Sequence, residues 1–435
     1  MQTRVPYDEI IRDTLKSLSK QREQSEFSRW DDSEEETEEE NFAFKNTEAL
    51  STFFTAYSIF KNKFPTLYIE KTLRKDIDSI IGTINEKGFI AGPYTYTAGD
   101  STQMIDFAAL AVKFFIKVKK YFKDKNVLNK KLESRIDSCV EKAYEFISKS
   151  KIGDIGEGYR WDGTGQKVNP KTKLEISNTF FTSCVLSSLS ELKNNLNSFK
   201  SLSEKEKEIK EIIDGSLLWL NSRFLESSSL YCGDSTNLDS SIEYTTFVLN
   251  AIFDSWANIE VQNIKDNAIK SLQSYVRYHA DPKNKDIRKR KKTVEIFVPA
   301  IKETLAYEPR NTIGNILIIL AKGLKISLPL PNVVNEQYKS LINTLLSELM
   351  DFRDLDSKLW GRGEFLIYAT YQAIEALLYY LTIEEHIGLV IEFDQVKFMS
   401  LVDEILKSDE IKSLFVKYFN KRISKDFHDK MNGEE

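Results

Sequence analysis

The sequence predicts an all-α protein: an α/α toroid of five to six helix pairs, with apolar inner helices ringed by amphipathic outer ones. Three observations carry that expectation. Turn formers are scarce, at 17 glycines and nine prolines in 435 residues; average usage is about 7% and 5%. Sandwiches and propellers need a turn roughly every 8–12 residues. Two kinds of helical segment alternate along the chain, and connector lengths alternate in step with them.

The outer kind carries one apolar stripe on a charged helix and covers about 68–87, 133–149, 204–223, 260–278 and 334–351. Ile69, Leu73, Ile77, Ile80 and Ile81 set the pattern, as do Ile209, Ile212, Ile213, Leu217 and Leu218. Recurrence at three and four is the mark of a helix with one buried face. The inner kind is apolar almost all round, at 46–61, 101–118, 177–192, 240–256, 311–325 and 364–381. A helix apolar on every side must be covered on every side. Connectors from outer to inner helices are long, and those from inner to outer are mostly short. The long set therefore gathers at one end, and 11 of the 17 glycines fall in it. Binding residues concentrate on loops held by a rigid scaffold.

A repeat runs through the inner helices. Thr52, Asp106, Thr182, Thr245, Asn315 and Thr370 align as one polar column, 54 to 76 residues apart. Close packing of small residues between helices accounts for most of it.

Charge and cysteine content narrow the function classes. Lys and Arg number 61 against 66 Asp and Glu, a net charge of −5, which excludes a globally basic nucleic-acid binder. Cys139, Cys184 and Cys232 form no CxxC, so neither a disulfide framework nor a cysteine zinc site is indicated. A reducing cytoplasm suits them. The first 18 residues have no apolar core, unlike a signal peptide. Apolar runs such as Ile313–Leu320 are far too short for membrane insertion. Residues 31–40 hold eight acids and residues 283–292 seven bases, both expected as solvated, mobile loops. The whole of 1–435 is expected as one toroid domain with a helical extension at about 392–435.

The best repeats are Trp360-Gly-Arg-Gly followed by Ala369-Thr-Tyr-Gln-Ala-Ile-Glu-Ala-Leu377, and Tyr231-Cys-Gly followed by Tyr244-Thr-Thr-Phe-Val-Leu-Asn-Ala251. This unit resembles the repeat of the terpenoid-cyclase and protein-prenyltransferase superfamily, over about residues 8–420. The resemblance implies a toroid, and either an acid for protonating an alkene or a zinc site. The acid motif is reduced to Asn237-Leu-Asp239, and Ser240-x-x-Glu243 reads equally as a capping box. Cys232 and Asp234 lie close together, but His279, His386 and His428 fall outside matching repeat positions. A zinc site needs three or four convergent ligands, so no metal and no cofactor is expected.

Asp106, Asp239 and Glu243 remain as candidate catalytic acids. Five glycines crowd residues 153–165 around Tyr159, Arg160, Trp161 and Asp162. With Tyr231, Asp234, Arg310, Trp360, Arg362 and Glu364 they mark the expected binding end. Aromatic faces beside carboxylates suit a sugar or a flat ligand, and the arginines beside inner-helix N-termini suit an anion. The expected role is a non-catalytic module that binds a partner protein, a peptide or a small anionic or aromatic ligand there. The first alternative is an isoprenoid or carbohydrate enzyme using rim carboxylates. The second is a nucleic-acid accessory acting through 283–292. What lines the centre of the ring discriminates: an aromatic, acid-bearing pocket points to an enzyme and a filled core to a scaffold.

Overall fold

A computed structural model describes residues 6–24, 42–60, 70–89, 104–162, 179–233, 239–284, 294–298, 303–307, 312–326, 332–353, 358–360 and 366–387. The acidic block, most of the basic block, the expected C-terminal extension, Asp234, Arg310, Arg362 and Glu364 lie outside them. Chain contacts divide the protein into Tyr7–Ile387 and a second unit of Met1–Pro6 with Gly388–Glu435. Only Pro6 of the second unit is described.

Among the described residues of the large unit there are twelve α-helices. Those of one set are α2 (Phe42–Phe60), α4 (Ile105–Asp124), α6 (Thr179–Asn194), α8 (Ile242–Asp254), α10 (Thr312–Lys325) and α12 (Leu366–Ile387). They touch in cyclic order, α12 returning to α2, and form a closed inner ring. The other set backs onto it. Helix α3 (Glu70–Lys87) lies on α2, α5 (Lys130–Lys149) on α4, α7 (Glu206–Ser222) on α6, α9 (Gln262–Ala280) on α8 and α11 (Asn332–Asp351) on α10. The sixth outer position is filled by α1 (Tyr7–Gln24), which packs on α12. The expected all-α toroid of paired helices is the fold of this chain.

The sequence reading has no helix at 7–24, although Tyr7, Ile11, Leu15 and Leu18 are its buried stripe. Also unforeseen are two antiparallel hairpins. In one, β1 (Phe224–Leu225) pairs with β2 (Leu230–Tyr231); in the other, β3 (Val294–Val298) pairs with β4 (Glu303–Tyr307), in register Val294↔Tyr307 to Val298↔Glu303. Val294, Ile296 and Val298 recur with a strand's period of two, a signal lost beside the basic run.

The core lies between the two rings. Phe107, Phe114, Phe115 and Phe122 of α4 are fully buried, as are Ile136, Val140 and Ile147 of α5. A charged cluster joins the layers: the buried ammonium of Lys119 donates to Asp137 at 2.6 Å and meets Glu133 at 3.1 Å, both on α5.

Candidate functional site

The two ends of the inner ring are built differently. At the end reached by the long connectors, aromatic residues close each connector onto the helices. Trp161 is completely buried; its indole N–H donates to Ile147 O at 2.9 Å, in the last turn of α5. Its backbone N–H donates to Thr182 Oγ1 of α6 at 3.3 Å. Trp360 repeats the arrangement with Leu349 O of α11 at 2.8 Å and Thr370 Oγ1 of α12 at 2.9 Å. The Tyr231 N–H donates to Thr245 Oγ1 of α8 at 2.9 Å. Three members of the polar column, Thr182, Thr245 and Thr370, are thus acceptors that dock connectors, more specific than small-residue packing alone.

These contacts bury the aromatic members of the expected binding surface. Trp161, Tyr231 and Trp360 are 0%, 0% and 2% exposed, so their side chains stabilise their own connectors and present no rim. Tyr159 is buried too, its hydroxyl donating to Glu211 at 2.8 Å. Burial, and then the hydrogen bond and charge of Glu211, push the phenol up to about 12. Its ring fills the place of a Cβ at Gly215, which is why α7 carries a glycine there. Arg160 is half-buried, with Glu157 at 3.7 Å, and Asp162 is buried. Asp239 and Glu243 are exposed. Glu243 accepts from Ser241 Oγ at 2.8 Å, and Ser241, one residue beyond the expected cap, caps α8 by accepting from Tyr244 N. Asp106 is buried at the start of α4 and accepts from Phe107 N at 2.9 Å. The structure does not gather these residues into one constellation.

Functional groups converge instead inside the ring, toward the C-terminal halves of the inner helices. A cavity of about 340 Å³ is lined there by Lys113, Lys117, Glu191, Asp254, Glu375 and Tyr379, with Phe54, Tyr57 and Tyr121 among its aromatic walls. Ser58, Lys120, Asp124 and Asn194 are its exposed residues, which place its mouth where α2, α4 and α6 end.

The polar residues follow the helical repeat. Lys113 and Lys117 are four apart on α4, Ser187 and Glu191 four apart on α6, and Glu375 and Tyr379 four apart on α12. Residues at that spacing share a helix face. The inner helices are therefore not apolar all round: each side that faces the ring's interior carries charge or hydroxyl. This is the signal the sequence offered and composition hid, namely single charges embedded at intervals of four in apolar runs.

Asp254 is the hub. Its Oδ1 accepts from Lys322 Nζ of α10 at 2.5 Å, and its Oδ2 accepts from Lys113 Nζ at 3.4 Å and from Ser187 Oγ. Lys322 also donates to Asn250 Oδ1 at 2.6 Å and lies 5.0 Å from the Tyr379 ring centre. Lys113 donates to Ser187 Oγ at 3.0 Å. Across the remaining seams, Lys117 Nζ donates to Ser51 Oγ and Thr55 Oγ1 of α2, both at 2.9 Å, and Tyr371 of α12 donates to Glu48 of α2 at 3.0 Å. Every seam of the inner ring carries a hydrogen bond, an ion pair or, between α10 and α12, the Lys322–Tyr379 cation–π contact.

Electrostatics divides the lysines. Burial disfavours the Lys113 charge, but Asp254 and then Glu191 hold its pKa above the ordinary lysine value. For Lys117 burial wins: its pKa is lowered, with Glu191 and Glu375 opposing the shift and Lys113 and Lys322 adding to it. Asp254 is itself disfavoured by burial, yet Lys322 and Lys113 hold its pKa well below the usual carboxylate range. Burial, reinforced by Asp106, pushes the Cys184 thiol up. Among the described residues the carboxylates of Glu191 and Glu375 make no hydrogen bond or ion pair, and no group of three His, Cys, Asp or Glu converges to hold a metal. No described helix is long and apolar enough to cross a membrane.

Searches by sequence return no matching family model and no matching curated protein. The fold has clear likenesses. The GH76A alpha-1,6-mannanase from Salegentibacter sp. HEL1_6 superposes with TM-score 0.54 at 12% identity, over 86% of this chain and 99% of that one. For the unsaturated glucuronyl hydrolase from Bacillus sp. GL1 the values are 0.53 and 10%, over 86% and 96%. For the family 76 glycoside hydrolase (mannosidase) Bt3792 from Bacteroides thetaiotaomicron VPI-5482 they are 0.51 and 11%, over 87% and 100%. At these identities the likeness shows the α/α-toroid fold. It supports the toroid half of the family resemblance and not a terpenoid cyclase. The motif that suggested the cyclases, an aromatic connector followed by Thr in an apolar helix, is a docking device for connectors.

Proposed function

We propose that this chain is a carbohydrate-active enzyme of the α/α-toroid type, cleaving a glycosidic bond inside its ring. One observation carries the reading: the centre of the ring is not filled but holds an aromatic, acid-bearing cavity, with Glu191 and Glu375 facing it unengaged. Glycoside hydrolysis uses one carboxyl as general acid and a second as nucleophile or base. Glu191 from α6 and Glu375 from α12 are the proposed pair. Tyr57, Tyr121 and Tyr379 supply the aromatic surface for a sugar ring, and Asp254, locked as an anion by two ammonium groups, supplies fixed charge. The activities of the alpha-1,6-mannanase and the unsaturated glucuronyl hydrolase, both acting on glycosides, support this reading. The partner-binding module at the loop-rich end gains nothing from these likenesses, and its aromatic anchors are buried.

The test is hydrolysis of a panel of α-mannans, mannobiosides and unsaturated uronyl oligosaccharides. One class is expected to be cleaved, with Glu191→Gln and Glu375→Gln each lowering the rate by about 10²–10⁴-fold, the range for loss of a general acid or base. Cleavage unchanged in both variants would move the chemistry elsewhere, and no cleavage across the panel would end the proposal.

A further inference from the structure

We propose that Lys117 is a nucleophilic amine that condenses with a small aldehyde in the central cavity. Its position sets it apart from its neighbours. Lys113 and Lys322 both ion-pair with Asp254, while Lys117 has no carboxylate within ion-pair distance among the described residues. Its two hydrogen bonds go to hydroxyls, Ser51 Oγ and Thr55 Oγ1. An ammonium has three N–H donors, so one direction is left, and the residue lines the cavity. An amine is activated as a nucleophile by desolvation or by neighbouring cations. Here both act: burial lowers its pKa first, and Lys113 and Lys322 push the same way against Glu191 and Glu375. The ordinary alternative, a lysine kept charged by a partner, describes Lys113, one helical turn away on the same face.

The chemistry balances without an added reagent. The neutral Nζ lone pair attacks the carbonyl carbon, forming a C–N bond, and the carbonyl oxygen takes up one of the two amine protons. That hydroxyl leaves as water with the second proton as the C=N bond forms. Glu191 and Glu375 line the same cavity and can pass those protons. An aldehyde fits the site as an uncharged electrophile, since the lining carries Lys113, Lys117 and Lys120 against Asp124, Glu191, Asp254 and Glu375 and so does not favour an anion. The open-chain form of a short aldose is one such molecule. This inference does not depend on glycoside cleavage, and its test reads a different bond.

The whole chain is incubated with glyceraldehyde near neutral pH, pulsed with cyanoborohydride, digested and mapped by mass spectrometry. Reductive alkylation at Lys117 should run about tenfold faster than at exposed Lys120 on the next turn, reflecting a larger neutral fraction. Lys113 and Lys322 should stay unlabelled under the same pulse. Ser51→Ala and Thr55→Val remove acceptors that favour the charged form, so labelling at Lys117 should speed up or hold. Labelling of Lys117 no faster than Lys120, or equal labelling of Lys113, would overturn the assignment. Because the comparison is made within one unaltered protein, it needs no Lys117 variant to fold.

Discussion

The two ends of the inner ring put aromatic and charged residues to opposite uses. At the connector end, Trp161, Tyr231 and Trp360 are sealed in, and threonine hydroxyls hold their backbones. At the other end, where connectors are short, lysines and carboxylates face an open cavity. The contrast teaches that a glycine- and tryptophan-rich connector is a sign of architecture. The sign of a site is the charge that a buried helix tolerates. An unpaired buried charge costs several kcal/mol, so a sequence retains one only where the structure or a ligand answers it.

Four substitutions sharpen the comparison, from the largest effect down. Asp254→Ala leaves the ammonium groups of Lys113 and Lys322 unanswered, and their side chains are only 27% and 8% exposed. It should destabilise by about 3–5 kcal/mol in denaturant melts, and a loss under 1 kcal/mol would show that water already serves the lysines. The pH dependence has a definite sign. Asp254 is depressed, so its contribution is present above the ordinary Asp pKa of about 3.9 and fades as pH falls through its lower folded value. Lys113 is raised, so its contribution is present below about 10.4 and fades as pH rises through its folded value. The Tm gap between wild type and Asp254→Ala should be flat between those limits and narrow outside them.

Trp360→Ala empties a buried site and removes the indole donor from the Leu349 carbonyl, which keeps only Phe352 N at 3.3 Å, and should cost about 3–5 kcal/mol. Any loss of ligand binding should then track the unfolded fraction; binding lost with stability intact would return the connector end to the candidate sites. Thr182→Val keeps the shape but withdraws the acceptor from Trp161 N, with an expected loss of about 1–3 kcal/mol and no change in chemistry. Glu375→Gln should change stability least, within about 0.5 kcal/mol, as for substitutions outside structural networks. Its effect belongs to turnover, and a large fall in Tm would make Glu375 a structural residue.

Much of the fold was legible in the residues. Eleven of the twelve helices follow from apolar spacing alone, and helix α1 escaped because its stripe is short and lies beside an acidic run. The site was not legible in the same way. Tryptophan in a glycine loop reads as a hot spot until burial is known. Lys113, Lys117, Asp254 and Glu375 are isolated letters in apolar helices, hundreds of residues apart at the extremes. Only ring closure makes them neighbours, and no local pattern encodes that.

The helix pair formed by α1 and α12 has a consequence for how the molecule is assembled. Its members are drawn from opposite ends of the large unit: Tyr7 packs edge-on against Tyr380 at 5.3 Å, and Thr14 donates to Lys358 O across 344 positions. During synthesis α1 emerges first and has no partner until α12 appears, while the flank of α2 meant for α12 stays bare. Bringing such distant segments together carries a loop-closure cost and delays folding. Ring closure is therefore a late step that completes the α12–α2 seam, and the cavity, whose walls include both α2 and α12, is complete only then.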